Sequence, residues 1–275
     1  PLGQGFANGI GMAMTERFLS KKYNKSNFNL VDHHTYGIVS DGDLMEGIAS
    51  EAASLAGHLK LSKIIYLYDD NNITIDGSTD LAFTEDVSKR FESYNWHVQT
   101  VSDGNDIDSI DLAVKRAQED DRPSLIKVKT VIGFGSPKQG TSSVHGSPLG
   151  DDGLIETKKN LEWQSNEMFY VPNEAKNHFN AMEIGTINET KWNELLDKYG
   201  EKFPELKNQY EDAMNGNLPH DWQDSLPRFS EADGPLATRS ASGIVLNSLS
   251  ELIDNFFGGS ADLEPSNNSY QKNKQ

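Results

Sequence analysis

The chain has 275 residues, room for one large or two ordinary domains, and its apolar and aromatic content is that of a soluble globular protein. A formal net charge of −17 argues against a nucleic-acid binder or an anionic-membrane binder, but not against a local pocket for small phosphates. No run approaches about 20 consecutive apolar residues, so no membrane span is expected. Without cysteine, disulfides and thiolate metal sites are excluded, which fits a cytoplasmic location.

The chain opens without Met on "PLGQGFANG", which reads like the interior of a domain, so a fragment is expected. "GFANGIGMAMTERFLSKKY" has small and apolar residues at helical spacing. "TYGIVS" (35–40) predicts a short strand, "EGIASEAASLAGHL" (46–59) a helix, and "KIIYLYDD" (63–70) a strand buried on both faces. "EDVSKRFESY" reads as helix, "WHVQTV" as strand, "DSIDLAVKRAQE" as helix and "SLIKVKTV" (124–131) as strand. This alternation predicts an α/β fold, a parallel sheet with helices on both faces.

A long Gly/Ser/Pro-rich loop follows (132–150), a length that favours function over passive connection. Residues 151–218 read as mostly helical, and the Pro- and Gly-punctuated stretch 215–235 as a linker. A second α/β pattern then begins, with "ATRSASGIVLNSLSEL" as a helix and "NFFGGSADL" as a strand and turn. At about 45 residues it is too small to hold a core alone.

The chemistry concentrates between Ser40 and Asn72. Asp41-Gly42 sits at the C-terminal end of a predicted strand, where ligands bind in open α/β sheets. Gly42 lets backbone approach a ligand closely, and the next helix offers free N–H groups to an anion. Asn71 comes 30 residues after Asp41, one helix and one strand later, so both can meet at one sheet end. A carboxylate, an amide oxygen and a carbonyl near Asn72 and Ile73 are hard ligands suited to Mg²⁺ or Ca²⁺ with a diphosphate. A turn Asp and two loop Asn residues with no metal is the competing account.

The spacing resembles the thiamine-diphosphate motif, Gly-Asp-Gly followed after roughly 30 residues by Asn-Asn. The words "PLGQGFANGIGMA", "DLMEGIASEAASLAGHL", "YDDNNITIDG", "IGFGSP", "VHGSPLG", "KWNELLDKYGEKFPEL", "ATRSASG" and "GGSADLEPSN" narrow the resemblance to the transketolase family, over essentially the whole chain. The resemblance implies a diphosphate-binding domain lacking its N-terminal part (1–185), a helical linker (186–232) and the truncated start of a pyrimidine-binding domain (233–275). It implies that Asp41, Asn71 and the Ile73 carbonyl bind the metal, and that Gly42 gives its N–H to the diphosphate. Leu2, Ile75 and Ile132 match apolar cofactor contacts. His145 matches a histidine near diphosphate and substrate that takes part in proton transfer, and Asp262 a residue beside the thiazolium. Arg239 and Ser266 match holders of the substrate phosphate. Glu46 and Glu51 match an acidic network joining the two active sites of a homodimer.

The implied reaction moves a two-carbon ketol unit from a ketose phosphate to an aldose phosphate in the pentose phosphate pathway. The glutamate that activates the aminopyrimidine and the donor-side histidines are expected outside residues 1–275. Two departures stand out: Ser40 replaces the first motif glycine, and Ser142 or Ser143 stands where relatives often carry a second histidine.

Each residue also has a plainer account. His145 lies in a loop with no core pattern around it, which leaves a site or an exposed histidine. A surface salt bridge would explain Arg239, although Arg suits bidentate phosphate contact. Ser266 fits a turn or helix cap, and Glu46 and Glu51 fit a solvated helix face. Two rival functions remain: a related synthase of the dihydroxyacetone or deoxyxylulose type, and a non-catalytic binding or assembly module.

Overall fold

Helix α1 (Gln4–Tyr23) carries the small residues of the first segment, and strand β1 (Thr35–Ser40) follows it in a computed structural model that describes residues 2–165, 167–272 and 274. A five-residue helix α2 (Asp41–Met45) precedes α3 (Gly47–Leu59), which leads into β2 (Ile64–Asp70). Then come α4 (Val87–Ser93), β3 (His97–Val101), α5 (Ile107–Glu119) and β4 (Ser124–Lys129). Asp86 and Asp106 cap α4 and α5, accepting N–H bonds from Lys89 at 3.1 Å and Ser109 at 3.0 Å. The chain divides into two compact units, Pro1–Glu189 and Thr190–Gln275.

The sheet of the first unit is fully parallel, in the order β1-β2-β4-β3. Side chains of β2 alternate between two cores. Ile64, Tyr66 and Tyr68 join α1, α3 and Phe91 of α4 on one face, while Ile65 packs with Ile126, Val128 and the α5 residues Ala113 and Ala117 on the other. This is the α/β architecture expected, with one difference in cover. The paired register puts Tyr36 and Ile38 of β1 on the α5 face, and there Ile38 is 79% exposed.

The first core is built around Tyr66. Its ring stacks on Phe6 with centroids 4.5 Å apart, and its O–H donates to the Phe6 carbonyl at 2.6 Å. The ring fits because two neighbours are glycine: a Cβ on Gly9 would lie 2.1 Å from the Tyr66 hydroxyl, and one on Gly37 2.2 Å from its ring. Trp96 closes the core and donates its indole N–H to the Ala53 carbonyl at 2.8 Å.

After β4 the first unit continues through α6 (Gly150–Asn160) and α7 (Asn173–His178), and α8 (Met182–Lys202) reaches into the second unit. There α9 (Pro204–Asn215) starts with proline and ends on left-handed Gly216. Buried Tyr199 and Tyr210, with a Lys207–Asp197 ion pair at 3.0 Å, join the end of α8 to α9. Helices α10 (Thr238–Leu252) and α11 (Glu264–Asn267) complete it. The strand expected in "NFFGGSADL" does not form. A strand needs a hydrogen-bonded neighbour, and no other strand occurs among the described residues of this unit. Among the described residues no helix is long and apolar enough to cross a membrane.

The Tyr66 slot generates a stability prediction. Gly9→Ala forces a methyl against a hydroxyl that is itself tied to Phe6, and should destabilise the protein by about 1–3 kcal/mol in urea unfolding. Gly11→Ala, where an added Cβ meets nothing within 4 Å, should not destabilise it.

Candidate active site

The register of β1 on β2 builds the site. Ser40 pairs with Asp69, so the two strands leave the sheet side by side, one into Asp41-Gly42 and the other into Asp70-Asn71. Helix α2 begins immediately, an element the sequence pattern did not predict. Asp43 holds its start, accepting the Ser40 backbone N–H at 3.0 Å and the Ser40 hydroxyl at 3.1 Å on one oxygen, and the Gly3 N–H at 3.4 Å on the other. The extra hydroxyl of Ser40 is therefore engaged by Asp43, and the same carboxylate binds the start of α1 to the end of β1.

Asp41 is 2% exposed. Tyr68 donates its O–H to Asp41 Oδ1, whereas Asp41 Oδ2 is buried with no hydrogen-bond partner among the described residues. Burial pushes the Asp41 carboxyl above the ordinary carboxylate range; the Tyr68 hydrogen bond opposes this, and the charges of Asp70 and Asp69 add to it. Asp70, also buried, is ion-paired with Lys127 at 3.3 Å and with Lys129. Asp41 has no such cation among the described residues.

On β2, Asn71 donates from Nδ2 to Asp69 Oδ2 at 3.1 Å and accepts the Ile73 N–H on Oδ1 at 2.9 Å. Thr130, just past β4, donates to the other oxygen of Asp69. Asn72 adopts left-handed φ 60°, and its carbonyl accepts the Thr79 N–H at 3.0 Å. Thr74 N–H donates to the Gly77 carbonyl at 2.7 Å, so residues 72–79 form a turn closed by their own backbone. The 132–150 loop is likewise self-bonded, with Gly140 N–H on the Ile132 carbonyl at 2.8 Å. Ser143 bonds Thr141 at 2.7 Å, and the Ser142 carbonyl accepts the His145 N–H at 2.9 Å.

These segments wall a cavity of about 540 Å³. Of the residues expected at the cofactor, it brings together Leu2, Gly42 and Asn71 with Ile73, Ile75 and Ile132. His145, exposed in its loop, and Glu46 also line it. Asp41 lies behind this wall, between Ser40 and Gly42. A Cβ on Gly42 would lie 3.6 Å from Leu2, so glycine keeps that gap open.

The remaining expected residues lie elsewhere. Glu51 is exposed on α3, as are Ile48 and Leu55. Arg239, in the first turn of α10, Asp262, in the stretch before α11, and Ser266, in α11, are exposed in the second unit. Sequence reasoning missed Asp43, Tyr68 and Asp69. The signal available was two tyrosines at alternate positions of a buried strand, whose hydroxyls need partners.

The donor set fits a hard divalent cation. Asp41 Oδ2 is an orphaned buried oxygen, and Asn71 Oδ1 keeps a lone pair beyond its bond to Ile73. Among the described residues no group of three or more His, Cys, Asp or Glu could hold a metal, so any site here mixes carboxylate, amide and backbone oxygens.

The family model described as "Transketolase, thiamine diphosphate binding domain" matches residues 1–219. The chain is 50% identical to a transketolase of Bacillus subtilis over 99% of its own length and 41% of that protein's. It is 51% identical to a transketolase of Geobacillus stearothermophilus, over 97% of this chain and 40% of that one. The crystal structure of a Pichia stipitis transketolase in complex with sedoheptulose 7-phosphate superposes with a TM-score of 0.95 at 43% identity, covering 99% of this chain and 41% of that one. The chain thus spans about two fifths of the length of these relatives, and it belongs to the transketolase family.

Proposed function

We propose that the cavity beside Asp41 binds thiamine diphosphate together with Mg²⁺ or Ca²⁺. The protein would then transfer a two-carbon ketol unit from a ketose phosphate to an aldose phosphate, as a cytoplasmic enzyme of the pentose phosphate pathway. The observation that carries this reading is the buried Asp41 Oδ2, without a hydrogen-bond partner among the described residues, on the residue between Ser40 and Gly42, both of which wall the cavity together with Asn71 and apolar residues. Asp41, Asn71 and the Ile73 carbonyl would hold the metal, and the Gly42 N–H would meet a diphosphate oxygen. Leu2, Ile75 and Ile132 offer apolar surface to the cofactor rings and exclude water from them. When bound, thiamine diphosphate supplies the electron sink that lets the bond beside a carbonyl break and re-form.

His145 would carry protons between substrate and solvent, since a neutral imidazole takes and gives a proton near pH 7. Asp262 would approach the reacting end of the cofactor, and Arg239 and Ser266 would hold the substrate phosphate. A homodimer is supported by the exposed Ile48 and Leu55 on α3, which flank Glu51 on the helix assigned to the acidic network with Glu46. The sugar phosphate in the Pichia stipitis complex supports the substrate class.

Calorimetry with thiamine diphosphate should show binding that depends on Mg²⁺. A folded sample without detectable binding would overturn the cofactor assignment. Activity on xylulose 5-phosphate with ribose 5-phosphate tests the sugar pair, and failure of the intact protein with it would overturn the transferase reading.

Two variants follow. Asp41→Asn removes a buried charge that nothing pairs, so the metal-free protein should melt higher by about 2–4 °C, roughly 1 kcal/mol. The same change should weaken Mg²⁺ binding by more than about 100-fold, beyond the range of outer-shell substitutions. Differential scanning fluorimetry with and without Mg²⁺ and cofactor reads both effects. Arg239→Ala should raise KM for phosphorylated sugars about ten-fold with a smaller change in kcat, because it removes a contact remote from the reacting carbons. Steady-state kinetics that leave KM unchanged would refute the phosphate assignment.

A further inference from the structure

Two consecutive residues of β2 each hold one of the two side chains proposed as metal ligands. Strand side chains alternate, so Tyr68 and Asp69 reach out on opposite faces of the sheet. Tyr68 is buried and donates its O–H to Asp41 Oδ1, which leaves Oδ2 as the oxygen without a partner. Asp69 is half-buried and accepts the Asn71 Nδ2–H at 3.1 Å, while Thr130 holds its other oxygen.

A carboxylate can only accept and the Ile73 N–H can only donate. Both neighbours therefore set the Asn71 amide the same way round, with nitrogen on Asp69 and oxygen toward Ile73. An amide turned over would offer hydrogens instead of a lone pair, and no cation would bind there.

We infer that Tyr68 and Asp69 are the positioning residues of the metal clamp: Tyr68 selects which oxygen of Asp41 is offered, and Asp69 selects which end of the Asn71 amide is offered. The inference rests on the metal–diphosphate reading of the cavity. Neither side chain is itself assigned as a ligand; each acts on the ligand it holds. Tyr66, two residues before Tyr68 on the same strand face, supplies an internal comparison. It too is buried with its hydroxyl bonded, but to the Phe6 carbonyl. Loss of either hydroxyl removes one oxygen and one hydrogen bond from the same core, and only one of the two faces a ligand.

The test titrates Mg²⁺ calorimetrically into the intact protein held with excess thiamine diphosphate. Wild type, Tyr68→Phe, Tyr66→Phe, Asp69→Ala and Asp69→Asn are compared, each with its melting temperature. Tyr68→Phe should raise the Kd for Mg²⁺ about ten-fold or more, the range of outer-shell substitutions. Tyr66→Phe should lower the melting temperature comparably and leave that Kd unchanged. Asp69→Ala should weaken Mg²⁺ binding to the same extent as Tyr68→Phe. Asp69→Asn should keep most of the affinity, because its amide oxygen still accepts from Asn71 although the charge is gone.

Unchanged Mg²⁺ affinity in Tyr68→Phe, or an equal loss in Asp69→Ala and Asp69→Asn, overturns the inference while the cofactor reading stands. A folded wild type that takes up no Mg²⁺ overturns both. Should Tyr68→Phe fail to fold, the Asp69 pair decides alone.

Discussion

The parallel pairing of β1 with β2, with Ser40 beside Asp69, is the constraint on which the rest of the site depends. It delivers Asp41 and Asn71 to one end of the sheet although a helix and a strand separate them in the chain. It also sets Tyr68 level with Val39, on the face from which its hydroxyl meets Asp41. A slip of one residue would turn Tyr68 to the opposite face and leave Asp41 without its donor. The partner strand β4 continues the same logic on the other side of β2, and the chain leaving it supplies Thr130 and Ile132.

Electrostatics sharpens what that geometry achieves. Asp41, Asp69 and Asp70 converge at one sheet end of a chain whose formal charge is −17. Asp70 is answered by Lys127 and Lys129, and Asp69 by the Thr130 hydroxyl and the Asn71 amide. Asp41 Oδ2 is buried with neither cation nor hydrogen-bond donor among the described residues. Such a group opposes folding on its own, because burial disfavours the charged form. The hard cation proposed for this site would complete it, as a ligand set of carboxylate, amide and backbone oxygens suits such an ion.

Much of the fold was legible because its signals are local. The apolar run "IIYLYDD" marked a strand buried on both sides, and Asp-Gly with Asn-Asn at one helix-and-strand spacing marked the sheet end where the cavity lies. Other features depend on contacts that a linear pattern does not carry. Helix α2 exists because Asp43 reaches Ser40 and Gly3, the latter forty residues away. The strand expected at "NFFGGSADL" had suitable residues and no neighbour to pair with. Tyr68 and Asp69 read as ordinary strand positions until their partners across β1 and β4 are known. Leu2, Gly42, Asn71, Ile73, Ile75, Ile132 and His145 share one cavity wall, whereas the expected phosphate holders Arg239 and Ser266 lie in a different unit of the chain.

The slot around Tyr66 carries a consequence for how this sequence can vary. Three positions far apart in the chain, 9, 37 and 66, fill one volume between them. Alanine at either glycine conflicts with the tyrosine, and a shorter side chain at 66 leaves an empty space that a methyl at 9 or 37 would partly fill. The three sites should therefore change together or not at all, and their energetic effects should be far from additive. A route to a different residue at any one of them passes through an intermediate less stable than either end, which makes this corner of the core an evolutionary ratchet.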